Sequence, residues 1–357
     1  MFDFINNKRA FGLEISDFSL KALWLKKKGT YFDVVGYNRL RLPKGLVVEG
    51  EIKDENKLAA LIRELLNNAK PQKITDSYVV SSLPENKIFT EIIKVPSMKE
   101  GDLKEAVKWE AENHIPISVE DVYLDWQVLS TKGRDMELLL SAAPKELVNG
   151  YVNTFRNAKL NLQALEPCAA SKARALLPAT GKEKTYLVVD IGAAKTVLDL
   201  ISNNRIYFSS SYFKVSGNIF TTTIAECLGI KEKEAEKEKI SCCSPNMSEK
   251  ESRILESMHP VLDELALEIN KLEEYYYNNF GNSNTDFRVF LCGGGASFFG
   301  IAPYLSLKTK KKIKLGNPWI NIKLMGETPL SHADSLTFAE VIGLAIRGTD
   351  PKTYTKK

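Results

Sequence analysis

The 357-residue chain is poor in the residue types that most catalytic and metal chemistry requires. Its three histidines, His114, His259 and His332, lie far apart in sequence, which argues against a zinc site or a His-centred triad. Its five cysteines (Cys168, Cys227, Cys242, Cys243, Cys292) form no Cys-x-x-Cys pair and are odd in number. They read as small apolar residues of a reducing compartment, not as a disulfide framework. Charge of one sign is scarce too: 49 Lys and Arg against 45 Asp and Glu leave a net +4, too little over this length to imply nucleic acid as a partner. The uncharged stretch Val289–Leu307 is broken by Gly293-Gly294-Gly295, Gly300 and Pro303, so it reads as a strand, a glycine turn and a short helix, not as a membrane span. The opening residues carry Asp3, Lys8 and Arg9 and lack the continuous apolar core of a secretion signal. With 44% hydrophobic and 26% charged residues, the chain is neither disordered nor fibrous, and its length suggests more than one domain.

What is present is strand patterning that occurs twice. Gly12–Leu25 is strand-like with a polar break at Ser16-Asp17, and Tyr31–Leu40 continues it as a three-stranded meander. Leu58, Leu61, Ile62, Leu65 and Leu66 form a helical stripe that stops before Pro71, and Tyr78–Leu83 is another strand. From Pro84 to about Glu166 the order β-α-β-β-α-β suggests an α+β sandwich of its own. Beyond the turn-rich link Pro178–Lys184 the opening pattern returns as Tyr186–Asp190, Thr196–Ile201 and Arg205–Ser210. Asp190-Ile191-Gly192 then stands where Glu14-Ile15-Ser16 stood, 176 positions earlier. Two related halves with a cleft between them are expected. Further on, Ser248 and Glu251 form a capping box, and Pro260 opens a helix whose Leu262, Leu265, Ile269, Leu272 and Tyr276 suit core packing better than a coiled coil. A terminal helix is predicted over Ser335–Arg347, with Gly348 as its stop.

Several turns could carry chemistry. Around Asp190, Gly192 and Thr196, a tight turn lets backbone N–H groups and a hydroxyl approach a phosphate, and a carboxylate there can hold Mg2+ through water. Ser16 and Ser19 could donate to phosphates and Lys21 could reach them as a point charge. Gly293, Gly294 and Gly295 remove three Cβ atoms, so that a flat ring or a phosphate could lie on the backbone. Gly217 with Thr221 adds a backbone contact, and Glu236 and Lys239 share one helical face, suited to ribose hydroxyls. Each has a plainer reading: an ordinary hairpin turn, a surface lysine, a structural glycine turn, a surface ion pair.

Together and in this order, these residues resemble the actin-like nucleotide-binding superfamily (actin, the Hsp70 ATPase domain, sugar kinases, FtsA), and within it the PilM family of type IV pilus assembly. The similar stretches are Gly12–Leu25, Val95–Leu129, Leu187–Leu200, Leu228–Lys239, Leu291–Leu305 and Gly343–Gly348, with Trp109–Pro116 the most specific. The resemblance implies an α/β, actin-like (ribonuclease H-like) pair of duplicated domains flanking a nucleotide cleft, with an inserted α+β subdomain. Residues 1–84 with about 166–184 and 335–357 would form the first domain, and 85–165 the insert. Residues 185–230 with about 286–334 would form the second domain, and 231–285 a helical subdomain.

It implies ATP or ADP, with Ser16, Ser19, Lys21, Gly192, Thr196 and Gly217 at the phosphates. Glu236, Lys239, Gly293, Gly294 and Gly295 would take the nucleoside, with Glu14 and Asp190 toward Mg2+. The first loop departs from the usual Asp-x-Gly-Ser, having Glu14, Ile15, Ser16 and Asp17, which points to weakened binding and to weak or absent hydrolysis. Lys195 stands where a small hydroxyl residue is usual and could replace lost phosphate contacts, and Ser216 replaces the first Gly of a Gly-Gly-x-x-x-Thr loop. The implied role is a cytoplasmic scaffold, peripheral at the inner membrane, that holds the N-terminal tail of a PilN-like protein among other pilus components; its membrane association would be indirect. Two alternatives stand beside it. A kinase of the superfamily would need a general base that no acidic turn supplies, and an FtsA-like filament protein would need an amphipathic anchor that the polar residues 348–357 do not form.

Overall fold

The computed structural model describes residues 2–3, 8–179, 184–203, 205–241, 248–280 and 286–350. Cys242, Cys243, Phe4, Ile5, most of the 178–184 link and the polar tail 351–357 lie outside the described residues. The chain divides into two compact units, Met1–Ala175 with Ile322–Pro329 and Glu340–Lys357, and Leu176–Asn321 with Leu330–Ala339.

In the first unit, β1 (Phe11–Ile15), β2 (Ser19–Lys28) and β3 (Tyr31–Arg41) form the expected antiparallel meander. Helix α1 (Glu55–Asn67) starts where the Asp54 side chain accepts the Lys57 N–H, and it buries Leu58, Ile62, Leu65 and Leu66. Strand β4 (Tyr78–Leu83) lies parallel to β1. Next come β5 (Phe89–Pro96), α2 (Glu100–His114), β6 (Val122–Lys132), β7 (Asp135–Pro144), α3 (Lys145–Asn157) and β8 (Asn161–Pro167).

These six elements do not form one sandwich. Strands β6, β7 and β5 make a separate three-stranded antiparallel sheet, on which α2 lays Leu103, Val107 and Ala111. Strand β8 instead pairs parallel with β4 in the main sheet, and α3 buries Val148, Tyr151 and Phe155 beside α1. Local pattern reveals a strand but not its partner, and the partner here is 83 positions away, with Asn161 opposite Tyr78.

The main sheet runs β8-β4-β1-β2-β3, extended by the short segments Phe2–Asp3 and Lys323–Leu324. Alternation along β4 sends Val79 to the α1/α3 side and Val80 toward Leu344 of the last helix, so both faces are covered. Helix α4 (Cys168–Leu176) follows β8.

The second unit repeats this order. Strands β9 (Lys184–Ile191), β10 (Thr196–Ser202) and β11 (Arg205–Tyr212) form a meander, followed by α5 (Gly217–Leu228), α6 (Glu232–Ser241), α7 (Glu249–Ser257) and α8 (His259–Asn279). Then come β12 (Asp286–Cys292), a 3-10 turn at Gly294–Ser297, α9 (Ile301–Thr309) and β13 (Ile313–Leu315). The sheet runs β13-β12-β9-β10-β11. Strand for strand it matches β8-β4-β1-β2-β3, with two parallel pairings on one side and two antiparallel on the other. The α8 stripe Leu262, Leu265, Ile269, Leu272 and Tyr276 lies in the core with Leu187, Val189, Leu198 and Leu200. Such a seam is core packing, as its spacing indicated.

The predicted terminal helix is two helices, α10 (His332–Thr337) and α11 (Ala339–Thr349), broken at Phe338. Gly348 is no stop signal, because the helix continues past it; a Cβ there would stand 2.1 Å from the Ala10 carbonyl oxygen. Close backbone approach, not termination, requires that glycine.

Candidate functional site

In an open α/β sheet, ligands gather at the carboxyl ends of the parallel strands. In the second unit Asp190, next to the last residue of β9, lies opposite Cys292, which ends β12. The turn after β9 closes on itself: the Gly192 N–H donates to the Lys195 carbonyl at 3.0 Å. Helix α5 clasps this turn, with Gly217 N–H donating to Gly192 O and Asn218 N–H to Ala193 O, each at 2.8 Å. The Thr196 hydroxyl donates to Val215 O at 2.8 Å and is fully buried. Ile219 N–H donates to the Ser216 side chain and Phe220 N–H to Ser216 O, so the first four amides of α5 are all engaged. Gly217 therefore holds the turn through its amide instead of offering that amide outward. Sequence reasoning missed Val215 and Asn218, whose parts are played by backbone and leave no residue-type signal.

The same glycine joins a polar hub. Lys239 Nζ donates to Gly217 O at 2.8 Å, to Thr221 Oγ1 at 2.8 Å and to Glu236 Oε2 at 2.6 Å. Thr221 Oγ1 also lies 2.6 Å from Glu236 Oε2. Helices α5 and α6 thus bring together Gly217, Thr221, Glu236 and Lys239. The Lys239 side chain is largely buried and that of Glu236 is half-exposed.

The glycine turn after β12 fits against the end of β9. Gly293 has φ +83, and its N–H donates to Leu336 O at 3.0 Å. A Cβ at Gly295 would meet Ile191 Cγ2 at 2.3 Å. The spaces left by the missing Cβ atoms of Gly293 and Gly295 are filled from β9, by Asp190 and Ile191, whereas Gly294 has nothing nearer than Thr337 Cγ2 at 3.7 Å. The surface expected to be bare at three positions is open at Gly294. Lys195 has its Nζ 6.0 Å from the Phe213 ring centroid.

In the first unit the β1–β2 hairpin places Glu14 directly across from Lys21, and their side chains form a buried ion pair, 7% and 11% exposed. The Ser16 hydroxyl donates to Ser19 O at 2.9 Å and accepts the Ser19 N–H at 3.1 Å, closing the turn. Asp17 accepts from the amides of Glu49 and Gly50, at 3.0 and 2.9 Å, so its charge is spent on a neighbouring turn. The other oxygen of Glu14, Oε2, is sealed from solvent without a partner among the described residues. This donor set does not suit a hydrated Mg2+, which keeps its waters and needs carboxylate oxygens that water can reach. Among the described residues no three His, Cys, Asp or Glu side chains cluster as metal ligands.

Two sheets of one strand order, each with a hairpin turn at the carboxyl end of its central strand, define an actin-like fold. Solved structures agree: this chain resembles the ethanolamine utilization protein EutJ from Carboxydothermus hydrogenoformans (TM-score 0.57, 14% identity, covering 96% of this chain and 90% of that one). It also resembles MreB 5 of Spiroplasma citri bound to AMPPNP (TM-score 0.52, 15% identity, covering 95% and 96%). The chain belongs to the family described as type IV pilus assembly protein PilM, which matches residues 12–349. A chain of a PilM-PilN type IV pilus biogenesis complex superposes with TM-score 0.78 at 27% identity, covering 96% of this chain and 99% of that one.

Proposed function

We propose that this protein is a nucleotide-binding scaffold of the type IV pilus assembly complex, which captures the N-terminal cytoplasmic tail of a PilN-like protein at the inner membrane. The likeness over nearly the whole chain to a component of a PilM-PilN complex carries this reading. No helix among the described residues is long and apolar enough to cross a membrane, and the proposed attachment is through the partner. An extended tail laid in a groove is a known mode of peptide recognition. Of the expected insert 85–165, the separate sheet with α2, residues 89–144, is proposed as the inserted subdomain beside that groove, and 231–285 as the helical subdomain, each on its actin-like domain.

The nucleotide is ATP or ADP. Lys21 and the hairpin turns at Ser16–Ser19 and Gly192 serve its phosphates, with Thr196 and Gly217 holding the second turn in place, and Glu236, Lys239 and the open Gly294 serve its nucleoside. What supports this assignment is the convergence of Gly217, Thr221, Glu236 and Lys239 into one hub next to the Asp190 turn. Turnover is weak or absent, in keeping with the departure of Glu14, Ile15, Ser16 and Asp17 from the usual first loop.

Fractionating cells with and without the PilN-like partner tests the reading. The chain should sediment with the inner membrane when the partner is present and stay in the supernatant when its tail is deleted. Unchanged distribution on deleting the tail would contradict it.

A further inference from the structure

We infer that Lys21 takes the divalent cation's place in the first hairpin, so that this chain binds its adenine nucleotide without Mg2+. The inference rests on the nucleotide reading above and concerns how the phosphates are neutralised.

A carboxylate next to bound polyphosphate is tolerable only if a cation stands between them. At the end of β1 that carboxylate belongs to Glu14, one methylene longer than Asp. The turn of Ser16 to Ser19 sets the register that places Lys21 opposite it. The extra reach is used across the hairpin, where Lys21 Nζ donates to Glu14 Oε1. Both side chains are buried, so this charge pair is weakly screened and persistent. A divalent ion added beside Glu14 would meet the ammonium as a like charge. It would also find Oε1 already engaged and Oε2 out of reach of its water shell. Asp17, the other acid of this turn, is held by two amides.

Lys21 suits the substitute role. An ammonium carries three N–H donors; Glu14 takes one, and the other two have no partner among the described residues. The Glu14 carboxylate fixes the head in place, the ammonium cancels the carboxylate charge that would otherwise oppose a phosphate, and two donors remain for phosphate oxygens. Asp190, the other carboxylate that the resemblance assigns to a metal, lies in the other hairpin.

The test is a fluorescence titration of the full 357-residue chain with an N-methylanthraniloyl ATP analogue, once in excess Mg2+ and once in excess EDTA. The two dissociation constants should agree within about threefold, whereas a loss of about tenfold or more on chelation overturns the inference and leaves the nucleotide reading intact. No saturable signal in either buffer removes both. The Lys21→Met variant, checked for folding by near-UV circular dichroism, is expected to bind about tenfold more weakly in EDTA and to recover in Mg2+, because Glu14 is then uncompensated. Wild-type affinity of a folded Lys21→Met protein in EDTA overturns it; should the variant not fold, the wild-type pair of titrations decides.

Discussion

A Cβ placed on Gly293, just past the end of β12, would stand 2.3 Å from Oδ1 of Asp190, the penultimate residue of β9. The parallel pairing of β9 with β12 brings the Asp190 carboxylate against bare backbone, and the left-handed φ of Gly293 keeps the turn there. Gly293→Ala therefore combines a clash with an unfavourable backbone conformation and should cost about 1–3 kcal/mol. A lower urea midpoint with unchanged slope would report it. Gly294→Ala, with open space at its Cβ, should leave that midpoint in place and serve as the control.

A buried ion triad ties the main sheet of the first unit to its last helix. Glu166, fully buried, accepts from Arg174 at 2.7 and 2.9 Å and from Arg347 at 2.7 Å. Burial alone would raise its pKa, but the two guanidiniums outweigh burial and lower it. Glu166→Gln leaves two cations uncompensated and should cost about 3–5 kcal/mol. A lowered native pKa means that the unfolded chain takes up the proton first as pH falls. The triad's contribution is thus complete above the ordinary Glu value of about 4.3 and lost as pH falls through the lower native one. Denaturation series across that range should show the wild type losing more stability than Glu166→Gln; parallel curves would contradict this.

The hub on α5 and α6 predicts a binding effect separable from folding. Lys239→Met cuts three hydrogen bonds at once and should weaken ATP-analogue binding about tenfold. Glu236→Gln, at a half-exposed side chain, should weaken it less. Equal affinities for both variants and the wild type would remove the hub from the nucleoside site.

The capping box offers a purely local check. The Ser248 side chain accepts the Glu251 N–H, and the Glu251 side chain reaches back to Ser248 N–H at 2.6 Å. Ser248→Ala should cost about 1 kcal/mol, read from the midpoint of chemical unfolding.

What could be read from sequence was whatever depends on neighbours along the chain. Alternation in Gly12–Leu25 and Tyr186–Ile201, the turn at Gly192, the box at Ser248 and the stripe on α8 are local, and each has its structural counterpart. The Glu14–Lys21 pair is local as well, since the turn from Ser16 to Ser19 pairs Ile15 with Leu20 and so Glu14 with Lys21. The hold of Asp17 on Glu49 and Gly50 was not, because nothing near Asp17 announces a turn some thirty residues on. Strand β8 shows the same limit: its residues look like any insert strand, and only pairing with β4 assigns it to the main sheet. The triple glycine was read as a bare ligand surface, when two of its three gaps are filled by Asp190 and Ile191.

The scaffold stands or falls with its partner. Isothermal titration of the full chain with a synthetic peptide covering the cytoplasmic N-terminus of the PilN-like protein should give saturable binding of one peptide per chain. A scrambled peptide should give no heat. If the native peptide behaves like the scrambled one, with nucleotide present and absent, the chain is not the tail's receptor.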